Sequence, residues 1–441
     1  MTGSKYLITF KGKKLLVDCG LFQGVKSLRL KNWDDLPVKA SEIDAVILTH
    51  AHIDHSGYIP RLINKGFRGK VYCTHATKDL CKILLPDAGY LQEEEAEYLN
   101  KNKKTKHKPA LPLFTYKDAV NSLEYFVGAD FEEVQKIDNT LSFKFKYAGH
   151  ILGAASVIVN VSGRTIGFSG DLGRQNDRIL YAPEKMENVN YLVTESTYGN
   201  RKHRETDVLD DLAEAVNQTY KKNGVMVIPA FAVGRAQSLM YYLWLLRQQN
   251  RIPHMPMYLN SPMATNVNDL LLKYKDLHKL SSAECFEICN LVKYVRTSEE
   301  SIKINERHGP MLIISASGML GGGRVLHHVK AFGPDPKNTI LLTGFQAAGT
   351  RGEALESGAK EVKIHGEYVP ILADVKILDN VSAHADYQEI ITWLSLSKIH
   401  PQRVFITHGE SSAADDLRRR LNETFGWECY VPEYAEKVVL E

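Results

Sequence analysis

The stretch AVILTHAHIDHSG, residues 45–57, decides how this chain is read. An apolar, strand-like run ends there in a loop that crowds His50, His52, Asp54 and His55 together. Alternate side chains on an extended loop share a direction. His50 and His52 can therefore face one cation while Asp54 and His55 turn toward a second. Imidazole and carboxylate are ligands that zinc-like metals take at about 2.0–2.2 Å. The composition is too specific for a chance polar turn.

Two metal sites need further ligands, and the pattern of apolar strand followed by His or Asp recurs. KYAGHILG presents His150, TIGFSGDLG presents Asp171 and VFITHGE presents His408. A lone His after a strand is usually an ordinary satisfied polar residue. Alongside the first cluster, these three are expected on one rim of strand ends.

The surrounding chain reads as α/β. Strand-length apolar runs bounded by turn residues recur as YLITF, KLLVDC, AVILTH, KVYCT, SFKFKYA, SVIVNV, TIGFSG, YLVTES, VMVIPA, MLIISA, TILLTG and RVFITH. Helix-period stretches separate many of them: VLDDLAEAVNQTYKK, RAQSLMYYLWLLRQQ, YQEIITWLSL and AADDLRRRLNETF. Hairpin-like strands dominate up to about residue 200. Near-continuous apolar strands alternating with helices then suggest a buried parallel sheet. The expected domains are 1–200, an insertion at 201–372, and a return to the first domain at 373–441. The segment from Leu84 to Lys106, acidic at its start and basic at its end, suits an exposed helix or a lid.

Composition bounds the function. With 441 residues, 44% hydrophobic and 24% charged, the chain has the make-up of an ordinary soluble globular protein. No apolar run approaches the roughly 18 residues of a membrane span, and the N-terminus lacks the pattern of a signal peptide, so a cytoplasmic protein with no membrane partner is expected. The six cysteines are scattered and suggest thiols rather than a disulfide framework. A net charge of +3 is too small to announce a polyanion partner. The runs KNKKTKHK (Lys101 to Lys108), RKHR (Arg201 to Arg204) and RRR (Arg418 to Arg420) could contact phosphates, although a charge run is more often a solvated surface. The aromatic YYLWLL, Tyr241 to Leu246, is expected as helix core rather than a base-stacking platform.

The ordered set Asp18 in LLVDCG, His50, His52, Asp54, His55, His150, Asp171 and His408 resembles the metallo-β-lactamase superfamily. That resemblance implies an αββα sandwich holding two Zn2+ at one edge. It places one ion on His50, His52 and His150, the other on Asp54, His55 and His408, and Asp171 between them, with Asp18 orienting the ligand loop. A pair of ions about 3.5–4 Å apart activates water and neutralises charge developing on a phosphoryl or acyl oxygen.

The insertion narrows the resemblance. VTESTYG with Glu195, PAFAVGRAQ (229–237), NSPMA (260–264), SASGMLGGGR (315–324), GFQAAGTRG (344–352), VSAHAD with His384, and ITHGE with His408 resemble the β-CASP nucleases, the family that includes ribonuclease J. The eukaryotic pre-mRNA 3′-end processing nuclease belongs there too. Each Gly- or Ser-rich stretch follows an apolar strand and opens a helix, where backbone N–H groups can face an anion. The substrate contacts expected within these motifs are Gly234, Arg235, Ser261, Met263, Ser317, Gly318, Gln346, Gly349 and Thr350.

A zinc-dependent ribonuclease follows from the resemblance. His384, oriented by Glu195, is expected to protonate the departing ribose oxygen, because a neighbouring carboxylate favours the charged imidazole. Asp54 is counted with these two in the catalytic set as well as among the ligands. His at position 408 resembles the RNA-acting branch, whereas DNA-repair members usually carry Val. The expected substrate is single-stranded RNA, and the resemblance to short prokaryotic forms leans endonucleolytic. A homodimer is left open. The competing readings are a dizinc hydrolase of small esters or thioesters, which the insertion disfavours, and a non-catalytic RNA-processing scaffold, which the intact ligand set disfavours.

Two departures accompany the resemblance. The VTGS-like element starts at Met1-Thr2-Gly3-Ser4, which suggests a missing leading edge strand at some cost to folding or activity, and Glu353 stands where many relatives have Arg. His75, His327, His328 and His365 match no metal position.

Overall fold

A computed structural model describes residues 3–441. Met1 and Thr2, part of the segment that suggests a missing edge strand, lie outside the described residues. The chain divides into two compact units, Met1–Lys202 with His384–Glu441, and His203–Ala383.

The first unit contains two sheets. One runs in sequence order through Tyr6–Phe10, Lys13–Val17, Ala45–Ile47, Lys70–Thr74 and Phe126–Ala129; its first pair is antiparallel and the others are parallel. The other sheet has the order Cys429–Tyr430, Arg403–Ile406, Tyr191–Thr194, Arg164–Phe168, Ala155–Val161, Leu141–Tyr147, Gln135–Lys136. Alternation along these strands sends Leu15, Val17 and Ile47 of the first sheet against Phe143, Phe145, Val157 and Phe168 of the second. Burial of each such side chain contributes about 1.5–3 kcal/mol, enough to fix register, since a one-residue slip would expose the whole set. On the outer face of the second sheet, Leu192, Val404 and Ile406 pack with Trp393 of the helix Tyr387–Ser397 and Leu417 and Leu421 of the helix Ser411–Phe425.

The second unit is built on a six-stranded parallel sheet with the order Lys293–Tyr294, Met257–Asn260, Met311–Ser315, Val225–Pro229, Thr339–Thr343, Asp374–Leu378. Its central strands are buried from end to end, which explains their uninterrupted apolar sequence. The return to the first domain, expected at residue 373, comes later. Asp374–Leu378 hydrogen-bonds along Thr339–Thr343 and closes the edge of the inserted sheet instead.

The helix expected from Leu84 begins earlier, at His75, and runs to Lys101. Thr74, at the end of its strand, caps it by accepting the Thr77 N–H, and Leu80, Leu84 and Leu85 give it a buried stripe, so it is packed rather than fully exposed. Tyr242, Leu243 and Leu246 of YYLWLL are buried in the helix Arg235–Gln248. No helix among the described residues is long and apolar enough to cross a membrane.

Candidate metal centre

Strand ends of the first unit bring the sequence-nominated His and Asp residues together. After Ala45–Ile47 the backbone turns through His50 and His52 into the one-turn helix Ile53–Ser56, which carries Asp54 and His55. The turn depends on Gly20: a Cβ there would lie 1.6 Å from the Asp54 carbonyl oxygen, so no other residue lets the two loops cross. His150 follows Leu141–Tyr147, Asp171 follows Arg164–Phe168, and His408 follows Arg403–Ile406.

Two groups of ligand atoms result. In one, His52 Nδ1 lies 3.2 Å from His50 Nε2 and 3.1 Å from His150 Nε2, while Asp171 Oδ2 lies 3.4 Å from His50 Nε2 and 3.6 Å from His150 Nε2. In the other, His55 Nε2 lies 3.4 Å from His408 Nε2, and Asp54 Oδ2 lies 3.6 Å from His408 Nε2. Asp171 Oδ1 faces this second group, 3.2 Å from His55 and 3.6 Å from His408. The two oxygens of one carboxylate are thus divided between the groups.

The donor set fits metal ions. Ligand atoms placed tetrahedrally at about 2.0–2.1 Å around one zinc lie roughly 3.3–3.4 Å from each other, a spacing that the distances above, 3.1–3.6 Å, bracket. Asp54 Oδ2 is buried and accepts no hydrogen bond, a costly arrangement for a carboxylate that no cation neutralises. Burial also holds His50 and His150 well below the ordinary imidazole pKa and His408 down at about 3, keeping them in the neutral form that ligates. The His and Asp clusters make this a metal-binding site.

Behind these candidate ligands stands a layer of hydrogen bonds. Asp18, at φ 57°, accepts the Thr49 N–H at 2.8 Å through Oδ1, and its Oδ2 meets Thr49 Oγ1 at 2.9 Å and His55 Nδ1 at 2.7 Å. Thr49 Oγ1 also lies 3.0 Å from His50 Nδ1. Sequence motifs point to Asp18. They do not point to Thr49, although it directly precedes His50, the first candidate ligand.

His384 lies beside the first group. Its Nδ1 is 3.1 Å from Glu195 Oε2 and its Nε2 is 3.9 Å from Asp171 Oδ2. Glu195 is held by the N–H groups of Leu172 at 2.6 Å and Thr197 at 3.3 Å. Burial works to lower the His384 pKa, but the charges of Glu195 and Asp171, with the Glu195 hydrogen bond, raise it overall.

In the second unit the nominated substrate residues gather at the C-terminal edge of the sheet, after the neighbouring strand ends Asn260, Ser315, Pro229 and Thr343. Gly234 and Arg235 start the helix Arg235–Gln248, Gly234 with φ 82°. Ser261 caps the helix Pro262–Lys273, whose first turn holds Met263. Ser317 Oγ accepts the Gly321 N–H, Gln346 Nε2 donates to the carbonyls of Gly318 and Gly344, and Thr350, after Gly349, caps Arg351–Glu356. Ser261 and Thr350 hydroxyls are therefore engaged by their own helices. The Glu353 carboxylate accepts from Ser357 Oγ at 3.0 Å.

Other sequence candidates are placed elsewhere. Arg418 and Arg419 pair with Asp415 and Asp416, and Arg420 lies over the Tyr387 ring at 3.8 Å, so this run is engaged within its own unit. His328 is buried between Asn260 and Asn305. The His327 and His365 rings lie 4.6 Å apart, tilted by 38°, and His75 lies 3.7 Å from Asp130.

Comparison with known proteins gives three family matches: the metallo-beta-lactamase superfamily over residues 2–222, the Beta-Casp domain over 236–355, and the Zn-dependent metallo-hydrolase RNA specificity domain over 368–432. The chain is 35% identical over 418 residues to ribonuclease TTHA0252 of Thermus thermophilus, covering 93% of this chain and 91% of that protein. It is 31% identical over 432 residues to an RNase J-like protein of Methanocaldococcus jannaschii, covering 96% and 93%. Against transcription termination factor FttA of Methanosarcina mazei it is 32% identical over 439 residues, covering 94% of this chain and 66% of the relative. A solved structure of a protein of unknown function from Enterococcus faecalis shares the fold, with a TM-score of 0.53, 14% identity, and coverage of 100% and 97%.

Proposed function

Because the chain belongs to the metallo-β-lactamase superfamily, in its β-CASP branch, we propose that it is a ribonuclease with two zinc ions that cuts single-stranded RNA internally. The observation that carries this reading is the division of the Asp171 carboxylate between two His-rich groups, with His384 alongside. His50, His52 and His150 would hold one ion and Asp54, His55 and His408 the other. When bound, such a pair supplies a water acidic enough to attack at neutral pH and neutralises charge on a phosphoryl oxygen.

The chain's own residues supply the rest. Glu195, fixed by two backbone N–H groups, holds the Nδ1–H of His384 and favours the imidazolium. This leaves the Nε2–H of His384, on the side of Asp171, to protonate the departing ribose oxygen. Asp18 and Thr49 orient His55 and His50. The strand-end loops of the second unit offer Gly-rich backbone for binding RNA phosphates, among them Gly234, Ser317 and Gly349.

The names of two relatives, a ribonuclease and an RNase J-like protein, support RNA over small esters. One oligonucleotide sequence offered as single-stranded RNA, duplex RNA and single-stranded DNA, beside a thioester and a β-lactam, tests this. Single-stranded RNA is expected to turn over fastest; faster turnover of either small molecule would overturn the reading.

A further inference from the structure

Ser4 stands behind His408 much as Asp18 stands behind His55. Its hydroxyl oxygen lies 2.7 Å from His408 Nδ1, across 404 positions of sequence. Both residues are buried. Water is therefore a poor substitute for this partner.

The placement of Ser4 is specific. A Cβ on Gly3 would lie 2.5 Å from the Leu21 carbonyl carbon, so the chain reaches this point only through glycine. The Ser4 N–H then donates to the Asp54 carbonyl at 2.8 Å, and the Ser4 carbonyl accepts the Gly20 N–H at 3.0 Å. The same residue thus touches the backbone of one ligand and the ring of another. A neighbouring hydrogen bond reinforces it: the Tyr6 hydroxyl lies 2.9 Å from Thr407 Oγ1, next to His408, and donates toward Ser4 Oγ at 3.4 Å.

His408 needs such a partner. Its φ of 52° puts it in the left-handed region, so the alternation of its strand does not set the direction of its ring. An imidazole that ligates through Nε2 must carry its proton on Nδ1, and that proton needs an acceptor. Asp18 meets this need for His55. For His408 the acceptor at hand is Ser4 Oγ.

We propose that Ser4 is the positioning residue of His408, its hydroxyl accepting the Nδ1–H and aiming Nε2 at the place shared with Asp54, His55 and Asp171. The inference rests on the two-ion reading above and adds a residue from the opposite end of the chain to one of its sites.

Zinc affinity measured by chelator competition tests it, with the melting temperature of the metal-free protein as a check on folding. Loss of an outer hydrogen-bond partner typically weakens metal binding about 10–100-fold. Ser4→Ala is expected to weaken one of two zinc ions by that factor and spare the other, while Ser4→Thr, which keeps the hydroxyl, retains the affinity. In a His408→Ala background, Ser4→Ala should cause no further weakening, since the imidazole it positions is already absent. Unchanged affinity in Ser4→Ala, equal weakening of both ions, failure of Ser4→Thr to retain affinity, or the same weakening with and without His408 would each overturn the proposal. A wild-type protein that takes up no zinc would overturn the two-ion reading, and this inference with it.

Discussion

His384 Nδ1 lies 3.1 Å from Glu195 Oε2, although 189 positions separate the two residues in sequence. The carboxylate is fixed from behind by the Leu172 and Thr197 N–H groups, so the imidazole is oriented rather than merely charged. His384→Ala is expected to keep its metal and its RNA affinity and to lose about 10²–10⁴ in turnover, the usual cost of a missing general acid. Single-turnover kinetics beside elemental analysis checks this. A variant within about threefold of wild type would place the acid elsewhere.

The same pair sets a pH dependence. Burial opposes protonation of His384, but Glu195 and Asp171 outweigh it, so the folded-state pKa lies above the ordinary value. A group that must be protonated to act stays competent below its pKa and fails as pH rises through it. Turnover should therefore decline on an alkaline limb that moves to lower pH in Glu195→Gln. A limb that stays in place in the variant would dissociate it from His384.

Thr49 makes two hydrogen bonds to Asp18 and approaches His50 while fully buried. Thr49→Val keeps the shape and removes the hydroxyl. It should cost about 1–3 kcal/mol of stability through the under-satisfied Asp18 carboxylate, read as a lower denaturant midpoint, and should weaken metal binding. An unaltered midpoint and metal affinity would show that Asp18 and His55 hold each other without it.

Arg418 and Arg419 are engaged with Asp415 and Asp416 on their own helix. Replacing both with Gln should leave RNA affinity and its salt dependence unchanged. Had either arginine neutralised a phosphate, its removal would flatten the slope of log K against log salt by about 0.7 for a single strand. A flatter slope would return this run to the RNA surface.

Much of the fold is legible because its strands are short apolar runs cut by turn residues. YLITF, KVYCT, VMVIPA and TILLTG each form a strand. Among the strands that escape sequence reading, Phe126–Ala129 contains a glycine, Glu361–Ile364 and Glu367–Pro370 form a half-exposed hairpin rich in charge, and Met257–Asn260, although buried, is only four residues long and set between prolines. Asp374–Leu378 is an edge strand with little full burial, so its place in the inserted sheet leaves no apolar signal, and the domain return expected at residue 373 falls too early. The candidate ligand residues stand out because His and Asp immediately after buried strands are chemically conspicuous. Ser4, Tyr6 and Thr49 do not, since a hydroxyl acquires its meaning from what it touches, and Ser4 touches a residue at the other end of the chain.

The metal content of purified protein tests the shared role of Asp171 most directly. With Oδ1 and Oδ2 facing separate His-rich groups, elemental analysis should find close to two zinc per chain after equilibration with zinc, and Asp171→Asn, which removes the shared charge, should lower that ratio. A folded wild-type protein that holds one ion or none at saturating zinc would contradict the two-ion site on which the proposed ribonuclease chemistry rests.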